Sequence, residues 1–224
     1  MPKFGPHRFR AFCGMTFWPY TSMNVSYVVI GSLLAPTIFW DRVLAVSAIY
    51  VLALGISAHA LDALGSMSTK PWGTYLSVRQ LRALSIGALA PALFLGVYYA
   101  FLYAPLLWVF GILETFFLFA YNLEWFNGRF HSDTWFVFSW GFLPSSVGYA
   151  FQTNSVSIIS FLVSLAIALT AFFEIKSSRP YKELKRKHER SEIELQLVGR
   201  FERRLKLLSI GIVVLAAGMI VLRA

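Results

Sequence analysis

Long apolar runs separated by short polar segments dominate the sequence. Each run is about 16–21 residues long, and a helix needs about 20 residues at 1.5 Å per residue to cross ~30 Å of hydrocarbon. The pattern therefore predicts an all-α polytopic membrane protein, a bundle of about seven transmembrane helices in one domain over residues 1–224. The runs lie near residues 24–40, 43–61, 83–103, 105–125, 134–151, 155–175 and 207–222.

Composition supports a protein that lies in lipid. Hydrophobic residues make up 57% of the chain and charged residues only 14%, where a soluble domain usually has about a quarter charged residues. The net charge of +9 would suggest nucleic acid in a soluble protein. Here the basic residues lie between apolar runs, so we assign them to membrane topology and anionic headgroups, with no nucleic-acid partner.

The basic residues also predict an orientation. The N-terminus and the segments 62–82, 127–133 and 176–206 are basic, whereas the connections between them carry almost no net charge. The positive-inside rule places the basic segments in the cytoplasm. We therefore expect a multi-pass protein of the cell membrane with a cytoplasmic N-terminus and an outside C-terminus. A charged cytoplasmic helix is predicted at about 178–206, with Pro180 at its start.

Few ionisable residues lie within or beside the apolar runs. His59 and Asp62 are three residues apart and share one helix face, and Glu124 and His131 are predicted at the same depth. These four side chains either ligate a divalent metal or form a hydrogen-bonded polar plug; carboxylates favour Mg²⁺ and imidazoles favour transition metals. Glu114 lies inside a run, where a charge costs ~3 kcal/mol or more; it is either a neutral buried carboxyl or the site of a small transporter.

Three stretches together resemble the UbiA superfamily of intramembrane prenyltransferases. "WPYTSMNVSYVVIGSLLAP" resembles the opening of the first span, and "SAHALDALGSMSTKPWGTYLSVRQLRAL" resembles the end of the second span with its Asp-rich loop. "YNLEWFNGRFHSDTWFVFSWGFLPSSVGYAFQTN" resembles a later loop and the span after it. The order and spacing agree with the family over roughly residues 18–155.

The resemblance implies a site at the cytoplasmic mouth of the bundle. In that family two Asp-rich motifs bind Mg²⁺, and the Mg²⁺ binds a prenyl diphosphate. Here the first motif is reduced to Asp62, and Glu174 is a lone acid where the second is expected. Carried over, the resemblance assigns catalysis to Asp62 and His59, a metal (Mg²⁺ or another divalent ion) to Asp62, His59, Glu124 and His131, and substrate binding to Lys70, Arg79, Tyr121, Asn122, Arg129 and Asp133.

Two functions from different classes follow. The first is a divergent UbiA-like prenyltransferase that binds a prenyl diphosphate or lipid at a cytoplasmic polar mouth. The alternative is a non-catalytic UbiA-like protein, a lipid- or quinone-binding accessory subunit of a larger membrane assembly. The expected partners are membrane lipid, an isoprenoid or quinone-like ligand, and, for the second function, other membrane proteins.

Overall fold

The computed structural model describes residues 4–65, 76–187 and 189–224. The described residues are 83% helical and contain no strand. The helices, in chain order, are α1 (His7–Met15), α2 (Trp18–Leu33), α3 (Trp40–Gly65), α4 (Val78–Leu102), α5 (Leu107–Asn122), α6 (residues 133–153), α7 (Ile158–Arg186) and α8 (Glu192–Arg223).

Each of the seven predicted apolar runs overlaps one helix, from α2 to α8. Within the described residues, four helices are long and apolar enough to cross a membrane, namely α3, α4, α7 and α8. The all-helical prediction is confirmed, and these helices are compatible with a multi-pass membrane protein. The count of seven spans stays a prediction, because α5 is a shorter apolar helix of 16 residues and α2 also has 16.

The first predicted run is displaced along the chain. We expected it at residues 24–40, but α2 begins at Trp18 and ends at Leu33. Pro36 explains the early end, because proline disfavours helical backbone at the residue before it and lacks the N–H that a helix interior needs. Pro19 stands in the first turn of α2, where its missing N–H leaves no helical bond unmade.

Helix α2 is the centre of the bundle. Twelve of its 16 residues are buried, between α3, α6 and α8. It approaches α6 closely, because a Cβ at Gly31 would overlap the carbonyl of Ser145 and a Cβ at Gly148 would overlap the carbonyl of Val28. The hydroxyl of Ser32 donates to the Gly148 carbonyl at 3.1 Å. Small residues thus let two backbones pack directly, as they do in membrane bundles.

The helix ends meet in two layers. One layer contains the start of α3, the end of α6 and the end of α8. There the Gln152 side chain accepts a hydrogen bond from the backbone N–H of Phe39 at 2.8 Å. Arg223 donates to the carbonyls of Ala35 and Pro36. We call this layer the opposite end. The other layer, which we call the polar end, contains the end of α3, the start of α4, the end of α5 and the start of α6.

The charged segment at 178–206 is helical except where α7 ends and α8 begins. The prediction that Pro180 starts a helix was wrong, because it lies inside α7. Proline removes one helical hydrogen bond, but α7 continues since it packs against α6 and α8 on either side. Helix α8 begins with a capping box in which Ser191 and Glu194 bond each other's backbone N–H groups.

Candidate functional sites

An ion-paired cluster lies at the polar end, where α6 begins beside α7. The Asp133 carboxylate receives Lys176 Nζ at 2.7 Å on one oxygen and Arg179 Nε at 2.9 Å on the other. Arg179 also donates to the His131 carbonyl at 3.3 Å. Asp133 is partly shielded, with 21% of its side chain exposed. Both of its oxygens are therefore held by cations.

The loop between α5 and α6 turns tightly to bring His131 back over α5. Glu124, Phe126 and Asn127 adopt left-handed backbone conformations, as does Gly128. His131 Nδ1 then bonds the Tyr121 carbonyl at 3.0 Å. The two rings stack with their centroids 4.4 Å apart. This stack fixes the imidazole over the end of α5.

Asp62 and His59 of α3 lie in the same region as this loop. Tyr121 lies close enough to Asp62, Asp133 and Arg179 for their charges to act on its phenol. The His59 ring meets the Tyr20 ring edge-on at 5.9 Å. The polar end thus brings together Asp62, Tyr121 and Asp133, with His131 stacked on Tyr121.

The other predicted site residues are placed differently. Arg79 and Arg129 are exposed, and the buried Asn122 amide donates to the Leu118 carbonyl at 2.8 Å. Lys70 lies outside the described residues. Within the described ranges no group of three His, Cys, Asp or Glu side chains is arranged to hold a metal. A metal on Asp62, His59, Glu124 and His131 stays a prediction.

A second buried polar group lies beside this cluster, and the sequence indicated only its acid, Glu174. Glu174 of α7 is 7% exposed. It lies close enough to Tyr20 and Tyr27 for its charge to act on their phenol groups. Both phenol oxygens and Asn24 Oδ1 are buried without a hydrogen-bond partner in the part of the chain that is described. Residues 20, 24 and 27 follow an i, i+4, i+7 spacing, which puts them on one helix face. That spacing was the available signal.

A large apolar cavity lies in the half of the bundle nearer the opposite end. Its volume is about 390 Å³, within the ~300–1,000 Å³ range of small-molecule sites. Helices α3, α4, α5 and α6 form its walls. The lining is apolar except for Tyr50, Glu114 and Thr115; its members are Val46, Ile49, Tyr50, Ala53, Leu54, Leu89, Ala92, Leu93, Gly96, Val97, Ala100, Leu107, Trp108, Phe110, Gly111, Ile112, Glu114, Thr115, Leu118, Val147 and Phe151.

The cavity opens sideways between α4 and α5. Val97 on α4 and Ile112 on α5 line it and are 45% and 68% exposed. Gly96 and Gly111 also line it, and a Cβ on either would meet nothing within 4 Å. The cavity is therefore open to the side of the bundle, between α4 and α5.

One polar pair interrupts the apolar lining. The Tyr50 hydroxyl on α3 donates to Glu114 Oε1 on α5 at 2.6 Å. Tyr50 is 4% exposed. The sequence singled out Glu114 by its position inside an apolar run, but it gave no sign that Tyr50 is its partner, 64 residues away.

Comparison with known protein family models, with curated proteins and with solved structures finds no match. The resemblance to the UbiA superfamily therefore stays a prediction. The functional conclusion depends on the ion-paired cluster at the polar end and on the apolar cavity that opens through the side of the bundle.

Proposed function

We propose that this chain is an integral membrane protein that binds an apolar lipid, of isoprenoid or quinone-like kind, in the cavity between α3, α4, α5 and α6. The observation that carries the proposal is the cavity itself, about 390 Å³ with an almost wholly apolar lining. Apolar surface binds apolar ligands because burial removes both from polar surroundings. This is the non-catalytic function of the two that the sequence predicts, on the UbiA-like scaffold.

The sideways opening supports entry from the membrane. Helix α4 is one of the four described helices that are long and apolar enough to span, so its exposed face lies against lipid tails. A ligand dissolved in the bilayer then reaches the cavity between α4 and α5 without crossing water. An apolar chain longer than the cavity extends outward into the same lipid.

The ion-paired cluster favours the binding function over prenyl transfer. A transferase of this type needs carboxylates available for Mg²⁺, and Asp133 already has a cation on each oxygen. Prenyl transfer is the second candidate because Lys176 and Arg179 place two cations at Asp133, with Arg179 also near Tyr121, which suits a diphosphate. The two candidates differ in whether the polar end or the cavity binds the ligand.

We infer the predicted orientation for this membrane protein. The polar end carries Lys176 and Arg179 together with the exposed Arg79 and Arg129. Arg42 and Arg223 are at the opposite end, where both bond backbone carbonyls. By the positive-inside rule the polar end faces the cytoplasm of a cell membrane, with the N-terminus inside and the C-terminus outside.

Lipid extraction from the purified protein tests the proposal. We expect the wild-type protein in mild detergent to retain an apolar lipid, detected by mass spectrometry. Gly111→Leu places a side chain in the open space of the cavity and lowers the retained amount about tenfold, equivalent to ~1.4 kcal/mol of binding free energy. Gly218→Leu on α8 is the matched control, since a Cβ there also meets nothing within 4 Å but lies outside the cavity.

Two results would change the conclusion. Equal lipid retention by wild type and both glycine variants would contradict binding in the cavity. The same preparations are incubated with labelled geranylgeranyl diphosphate, with and without Mg²⁺. Turnover that needs Mg²⁺ and is lost in Asp62→Ala would establish the transferase instead.

A further inference from the structure

The Tyr50–Glu114 pair places polar groups in an otherwise apolar cavity, and these groups affect which ligand the cavity binds. The inference rests on the proposed function, because it concerns which apolar molecule the cavity takes. Of the 21 lining residues, those with side-chain oxygen atoms are Tyr50, Glu114 and Thr115, and Trp108 adds an indole N–H. Glu114 and Thr115 are adjacent in the chain, and Tyr50 bonds Glu114 directly. The side-chain oxygen atoms are therefore concentrated at one place in the wall.

Glu114 has hydrogen-bonding capacity that the protein itself does not use. Tyr50 occupies Oε1 at 2.6 Å, and in the described part of the chain Oε2 has no hydrogen-bond partner. Glu114 lines the cavity and is only partly buried, so a ligand in the cavity can contact its carboxyl group. No lining residue carries a positive charge.

The protonation state of this carboxyl follows from its surroundings. An ionised carboxylate in hydrocarbon without a cation is costly, so Glu114 is neutral while the cavity holds an apolar molecule. A neutral carboxyl has one O–H donor and spare acceptor capacity. Tyr50 donates its own proton to Oε1, which leaves the carboxyl O–H for another acceptor. The missing acceptor is an oxygen on the ligand.

We propose that the cavity selects an apolar lipid that carries one hydroxyl or carbonyl oxygen, which hydrogen-bonds to Glu114 beside Tyr50, over the corresponding hydrocarbon. The wall residues hold the chain, and the polar pair holds the oxygen. A site built to bond an oxygen rejects the analogue without it, because the polar group of the site is then left unpaired. Glu114 therefore decides specificity, while the apolar walls supply the bulk of the affinity.

A matched pair of ligands tests this assignment. Hexahydrofarnesol and its parent hydrocarbon farnesane share one branched chain and differ by one hydroxyl. Their affinities are measured in nanodiscs by competition against tritiated hexahydrofarnesol. We expect the wild-type protein to bind the alcohol about tenfold more tightly than the hydrocarbon, in line with one hydrogen bond to a strong partner.

The double variant Tyr50→Phe/Glu114→Leu removes both polar partners together, which avoids leaving either one unpaired. We expect it to bind the two ligands equally, and farnesane at least as tightly as the wild-type protein does, because no polar group of the wall is then left unpaired. Retained farnesane binding, measured by displacement of tritiated farnesane, also demonstrates that the variant is folded. Gly111→Leu, which occupies part of the cavity, should bind both ligands about tenfold more weakly.

The outcomes separate this inference from the proposed function. Equal binding of alcohol and hydrocarbon by the wild-type protein would overturn the role of Glu114 and leave lipid binding intact. Unchanged discrimination in the double variant would also overturn it, because the hydroxyl would then be recognised elsewhere. Failure of the wild-type protein to bind either ligand, or normal binding by Gly111→Leu, would contradict the cavity as the lipid site.

Discussion

Asp133 is the residue that organises the polar end. It lies in the first turn of α6, where the positive end of the helix dipole favours an anion, and Ser132 caps that helix by accepting from the Trp135 N–H. Its two oxygens form ion pairs with Lys176 and Arg179 of α7. One side chain therefore joins the start of α6 to α7 and holds the cations that stand near Tyr121.

Replacing Asp133 by Asn should destabilise the protein by roughly 1–2 kcal/mol. The change removes the charge shared by two ion pairs, but Lys176 and Arg179 are partly exposed, so water screens part of the loss. Thermal unfolding in detergent, followed by circular dichroism, measures the effect. Glu183→Gln is the matched control, because Glu183 is exposed on α7 and has no ion pair in the described residues. Equal stability of the two variants would contradict the role of Asp133.

Helix boundaries depend on local residues as well as on apolar runs. The runs predicted the existence and order of α2 to α8, because burial in lipid or protein needs long stretches of apolar side chains. They placed α2 several residues too late, because the polar residues at its start are buried by neighbouring helices. The prediction that a helix starts at Pro180 was also wrong. Packing between helices overrides the local signal at Pro180 and at the start of α2, whereas the early end of α2 follows from the local effect of Pro36.

The contact of α2 with α6 depends on glycine at the point of closest approach. We expect Gly148→Ala to lower stability by about 1–3 kcal/mol, since the added methyl overlaps the Val28 carbonyl and the backbones have to separate. Gly218→Ala is the control on α8, where a Cβ meets nothing within 4 Å. There alanine should be neutral or stabilise by up to ~1 kcal/mol through helix propensity. Thermal unfolding of both variants distinguishes the two sites; equal changes would contradict the close packing.

At the scale of the whole molecule, the two sites lie in different halves of the bundle. On α3 the cavity lining extends to Leu54, and Asp62 is eight residues further along the same helix, toward the polar end. A ligand in the cavity therefore lies below the polar end, and its oxygen meets Glu114 near the middle of α5. The cavity is a binding site separate from the predicted diphosphate site.

The sequence predicted more of the polar end than of the cavity. Asp62, His131 and Asp133 were singled out because ionisable residues beside apolar runs are few, and Tyr121 followed from the resemblance to the UbiA superfamily. Lys176 and Arg179 were included only in a basic segment, since nothing local indicates that they reach Asp133. The cavity could not be predicted, because its lining comes from four helices and consists of apolar residues that packing could have used otherwise. Only Glu114 was visible in advance, as an acid where hydrocarbon makes acids costly.

A structure determined in nanodiscs made with the native membrane lipids is the most direct test of lipid binding in the cavity. We expect elongated density between α4 and α5 that begins among Leu93, Val97 and Ile112 and ends within hydrogen-bonding distance of Glu114. Helices α4 and α5 should remain separated beside the cavity, as they are in this structure. Direct packing of α4 on α5 with no space beside Tyr50 and Glu114, or a cavity that holds ordered water in place of a chain, would contradict the account.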